Sequence, residues 1–128
     1  MAVVQPIRQQ TEDLAAERAV LGAVLADNTM VSSIAEVVLA EDFSSPAHAQ
    51  IFAAMLALDG TQRPVDHLTL SEELKTRGQL AGVGGPAYLM TLDQVVPLAS
   101  SAVEYARIVK DQSVRRRLAN VGREILEL

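Results

Sequence analysis

The chain contains no cysteine and no tryptophan. The first absence excludes disulfides and every cysteine-bound metal centre. Aromatic residues are scarce, being confined to Phe43, Phe52, Tyr88 and Tyr105. With 49% hydrophobic residues among 128, the core must come from Leu, Val, Ile and Ala, a set that favours helices over sheets. No apolar run reaches the roughly 20 residues needed to span a bilayer. The first residues, Met1 to Pro6, lack the basic start and long apolar segment of a secretion signal, so a cytoplasmic location is expected. Positive charge is also in deficit, with 11 Lys and Arg against 16 Asp and Glu, a formal charge of −5. Domains that grip a nucleic-acid backbone are usually basic, because phosphate neutralisation supplies most of the affinity. Strong direct binding to nucleic acid is therefore not expected. A phosphate loop is missing too: Gly78 to Gly85 is glycine-rich but supplies no lysine and follows no strand.

What is present is helical punctuation. Residues 1–13 read as a flexible arm, with Asp13 as N-cap of a first helix over Leu14 to Ala26 and Glu17 favourably placed near its positive end. Leu14, Leu21, Val24 and Leu25 share one face, and Gly22, which costs about 1 kcal/mol inside a helix, predicts a close helix neighbour. Asp27-Asn28-Thr29 breaks that helix. A second follows over Met30 to Ala40, with Met30, Ile34, Val37 and Val38 as its apolar positions. Ser45-Pro46 caps a third, which carries Ala47, Ile51, Met55 and Leu58 to a stop at Asp59-Gly60. Residues 61–68 are extended because of Pro64. A Thr69-x-x-Glu72 capping box then opens a fourth helix that buries Leu70 and Leu74 and runs to about Arg77. Gly78 stops it, and Gly84, Gly85 and Pro86 start a fifth, which places Tyr88, Leu89, Leu92 and Val96 inward and stops before Pro97. A Ser101-x-x-Glu104 box opens the longest helix, whose Ala102, Tyr105, Ala106, Ile108 and Val109 pack on the body. Farther on, Val114, Leu118, Val121, Ile125 and Leu128 repeat at alternating four-three spacing, the seam of a helix that pairs with another.

The fold expected is thus all-α, a compact orthogonal bundle of about six helices whose last is long. Its chemistry is sparse. Asp42, His48, Asp66 and His67 are metal-ligand types, but the histidines stand outside different helices and make a poor site. His48 is expected to pack and hydrogen-bond at a helix start, and His67 to be a solvated loop residue. Arg107, Lys110, Arg115, Arg116, Arg117 and Arg123 make the last helix basic. They read as its solvated side, with contact to an acidic partner or phosphate as the sharper alternative. No aromatics stand near them for stacking on single strands. Glu72-Glu73 and Glu41-Asp42 lack any second catalytic element. The chain is read as non-enzymatic, with no catalytic, cofactor or metal residues of its own. The seam Val114, Leu118, Val121, Ile125 and Leu128 is the candidate partner or oligomer interface, and Gly78, Gly84, Gly85 and Pro86 form a structural joint.

Several stretches in order carry a family resemblance. They are Leu14-Ala15-Ala16-Glu17-Arg18-Ala19-Val20-Leu21-Gly22-Ala23-Val24-Leu25, then Asp42-Phe43 with Pro46, His48, Ile51 and Phe52, then Pro64-Val65-Asp66 with Thr69-Leu70. Gly78-x-Leu80-x-x-Val83-Gly84-Gly85-x-x-Tyr88-Leu89 and Tyr105-Ala106-x-Ile108-Val109 complete the set. The pattern resembles the N-terminal domain of bacterial replicative DNA helicases of the DnaB type. Leu98-Ala99-Ser100-Ser101 departs from the family's frequent alanine-asparagine pair. The resemblance implies a helical collar domain over 14–112, with 113–128 as the first arm of a helical hairpin, truncated because the chain ends inside the apolar pattern. It further implies support of a hexamer, recruitment of primase and a cytoplasmic setting associated with the replisome and nucleoid. ATP and Mg are expected only for a C-terminal RecA-like domain absent from this sequence. The alternatives are the helicase-interacting domain of a primase, which resembles this fold, and a small helical nucleic-acid-binding domain.

Overall fold

A computed structural model describes residues 12–94 and 99–128 of the chain. Among them are six α-helices and two 310 turns, and no strand. The helices are α1 (Leu14–Ala26), α2 (Met30–Ala35), α3 (Pro46–Gly60), α4 (His67–Thr76), α5 (Gly85–Asp93) and α6 (Ala102–Leu126), with 310 turns at Ala40–Asp42 and Ala99–Ser101. The all-α expectation is met. The expected N-terminal arm lies outside the described residues except for Glu12 and Asp13, as do Val96, Pro97 and Leu98.

Caps set the starts. The Asp13 carboxylate accepts the Ala16 N–H at 3.0 Å, and the Ser45 hydroxyl accepts the His48 N–H at 3.3 Å with Pro46 in the first turn. α4 begins earlier than the Thr69-Glu72 box predicts. Asp66 is its N-cap, accepting from the Thr69 N–H at 2.8 Å while the Thr69 hydroxyl accepts the Asp66 N–H at 3.0 Å. Pro64 and Val65 hold the chain extended up to Asp66, whose short carboxylate captures the free amide first. The Ser101-Glu104 box does not form: Ser101 makes no side-chain cap bond, and Glu104 pairs instead with Arg107 on the helix surface. α2 is also shorter than expected. Its ladder closes on Ile34, which accepts from the Val37 and Val38 amides, because Leu39 is extended and gives its N–H to the Asp42 carboxylate at 2.7 Å.

α1 is the central helix, in contact with α2, α3, α5 and α6. Ala16, Glu17, Val20, Leu21, Gly22, Ala23 and Val24 are all buried, so more than one face is covered, while the expected anchor Leu14 is 40% exposed. The pairing of α1 with α6 is the most extensive, and both helices bury small residues, Gly22 and Ala23 on one and Ala102 and Ala106 on the other. Ile51, Phe52, Met55 and Leu58 from α3, Leu70 and Leu74 from α4, and Leu89 and Leu92 from α5 complete the core. Its aromatic pair is Phe43 with Phe52, ring centroids 5.1 Å apart. Asn28 ties the extended segment to the end of α1. Its amide donates to the Val24 and Val65 carbonyls and accepts the Val65 N–H, each at 2.8 Å.

Three segments end by one device. Past α4, the Gly78 and Gln79 amides reach back to the Lys75 and Leu74 carbonyls at 3.0 and 2.8 Å. At the far end of the joint, Gly84 and Gly85 reach Ala81 and Leu80 at 3.1 and 2.9 Å, and past α3, Gln62 and Arg63 reach Asp59 and Leu58 at 3.0 and 2.9 Å. Each closure needs a left-handed residue: Gly78 at φ 71°, Gly84 at φ 110° and Gln62 at φ 58°. Only the third lacks glycine. Gln62→Gly is therefore expected to stabilise the domain by about 1 kcal/mol; a lowered or unchanged urea midpoint would contradict this account of the turn.

Candidate functional site

Two carboxylates are fully buried, and each joins helices that hydrophobic contact alone would leave free to slide. Glu17, 1% exposed on α1, does not decorate the helix start as its position suggests. One carboxylate oxygen accepts the Ser44 N–H and hydroxyl at 2.8 and 2.5 Å, and the other accepts the Ser45 N–H at 3.3 Å and His48 Nδ1 at 2.8 Å. His48 Nε2 lies 2.5 Å from the Tyr88 hydroxyl on α5. Burial pushes the Glu17 carboxyl upward, but the bonds from His48, Ser44 and Ser45 outweigh it and hold the group below its ordinary value of 4.5. Burial raises the Tyr88 hydroxyl above 10.0, with Arg18 opposing and Glu17 reinforcing. The ionised Glu17 carboxylate can only accept, so His48 Nδ1–H donates to it, and the second ring nitrogen shares its hydrogen bond with the Tyr88 hydroxyl. This polar relay binds α1, α3 and α5, and places His48 at a helix start as the sequence suggests.

The glycine joint serves the relay. Gly84 packs so close to Tyr88 that an added Cβ would stand 2.8 Å from the Tyr88 Cβ. Gly78 and Gly85, both at φ 71°, stop α4 and start α5, and Pro86 occupies the first turn. Leu80 and Val83 pack into the core from between them.

The second buried carboxylate is Asp42, 0% exposed, in the 310 turn Ala40–Asp42. Ser113 donates to it at 2.6 Å, Arg117 at 2.6 Å and Lys110 at 3.2 Å, while Arg116 donates to its backbone carbonyl at 2.5 Å. Burial raises the Asp42 carboxyl, and the Leu39 amide, Ser113 and Lys110 more than reverse it, leaving the group below its ordinary value of 3.8. Lys110, Arg116 and Arg117 are thus not a purely solvated row: they dock α6 onto the body. Their spacing with Ser113 is the sequence signal for one helix face; nothing in the sequence pairs that face with Asp42. Arg107 bonds its neighbour Glu104, and Arg123 bonds Asn120.

Beyond this anchor α6 carries the expected seam in the open. Val114 is 41% exposed, Leu118 67%, Val121 50% and Ile125 61%, while the expected fifth member, Leu128, lies past the end of α6 at Leu126 and is fully exposed. The remaining metal-ligand types do not meet: His67, the first residue of α4 and not a loop residue, pairs with Asp93 at 3.0 Å. Among the described residues no three His, Cys, Asp or Glu side chains gather as a metal site.

Comparison with known proteins gives these features a setting. The model of the DnaB-like helicase N terminal domain matches residues 9–111. The replicative DNA helicase DnaB of Mycobacterium leprae (strain TN) is 39% identical over 120 residues, covering 94% of this chain and 20% of that protein. The chain thus spans about a fifth of that relative's length. The N-terminal domain of DnaB helicase from Mycobacterium tuberculosis superposes with a TM-score of 0.89 at 39% identity, covering 93% of this chain and 86% of that one. A DnaB-like replicative helicase described with its interactions with primase superposes at 0.75 and 25% identity, covering 90% of this chain and 27% of the other.

Two outcomes test the buried polar sites. Gly84→Ala should cost about 2–4 kcal/mol, combining left-handed strain with the clash on Tyr88, whereas Gly82→Ala, 3.5 Å from its nearest neighbour atom, should be close to neutral. Equal effects in urea unfolding would refute the close-approach account. Because both carboxyls are held below their unfolded values of 4.5 and 3.8, their contribution is complete above those values and is lost as pH falls through the lower folded values. Stability measured between neutrality and mild acid should therefore drop below about pH 4.5, and Glu17→Gln should flatten that drop while lowering stability at neutral pH.

Proposed function

The chain belongs to the DnaB-like helicase N-terminal domain family, and on that premise we propose that it is a non-catalytic assembly and docking domain of a replicative DNA helicase. In this reading it supports formation of the hexamer and recruits primase at the replication fork, in the cytoplasm at the replisome. ATP, Mg and strand separation belong to the rest of the protein, of which a domain this size is a small part. The observation that carries the reading is the exposed seam of α6: Leu118, Val121 and Ile125 stand at half exposure or more on one helix side. Contiguous apolar surface of that kind marks an association site, and its four-three spacing suits a second helix. The net charge of −5, and the commitment of Lys110, Arg116 and Arg117 to Asp42, speak against a nucleic-acid-binding role. The similarity to replicative helicases along nearly the whole chain favours this reading over a primase domain.

Docking would work by removing apolar area from water, and full burial of Leu118 or Ile125 contributes on the order of 1.5–3 kcal/mol each. Leu118→Asp with Ile125→Asp should therefore weaken self-association or primase affinity roughly a hundredfold or more while leaving the helical content and melting midpoint of the body in place. Unchanged sedimentation together with unchanged primase binding would count decisively against the proposal.

A further inference from the structure

No further inference is drawn: the strongest candidate, the open apolar seam of Val114, Leu118, Val121 and Ile125 on the outer half of α6, belongs to the site already described, and nothing in the structure shows what covers it.

Discussion

Burial of α1 on several sides at once is the constraint on which the remaining structure depends. A helix enclosed by α2, α3, α5 and α6 has little room for a charge, yet Glu17 sits in its first turn with 1% exposure. An ionised carboxylate in such a place is tolerable only if nearly every lone pair is met. Ser44, Ser45 and His48 do so from the start of α3, and Tyr88 extends the chain of bonds to α5. The requirement fixes more than one group. It sets where α3 begins, which ring stands at its entrance, and how closely α5 must approach, which in turn demands a glycine at position 84.

Asp42 repeats the solution at the other side of the domain for a different purpose. The Glu17 relay locks elements already bound by the core, while the Asp42 cluster holds a helix whose outer half has no core to lie on. Apolar packing through Ala102, Ala106 and Val109 secures the inner half of α6. Farther out, hydrogen bonds to Asp42 tie it to the body.

Much of the helical plan was legible in the residues. Asp13, Ser45-Pro46 and the glycine joint are local signals whose effect is exerted within one turn, and they place α1, α3 and α5 at the expected positions. The errors share a cause. Thr69 and Ser101 both satisfy the pattern of a capping box, but Asp66 outcompetes the first and the second goes unused. α2 ends early because Asp42 takes the Leu39 amide. In each case a group nearby in space, or a better acceptor slightly upstream, decided between alternatives that local pattern left equivalent.

The sequence by itself determined the helical class, the aliphatic core, the turns that need glycine and the spacing of the α6 seam, because those follow from backbone sterics and from periodicity within one segment. Only the tertiary structure decided that Glu17 is buried and not a surface charge, that His48 and Tyr88 meet across 40 positions of chain, and that Lys110, Ser113 and Arg117 converge on Asp42. Such pairings arise when separate helices are pressed together and every enclosed polar group must find a partner. That condition belongs to the packed whole, and no single segment carries a trace of it.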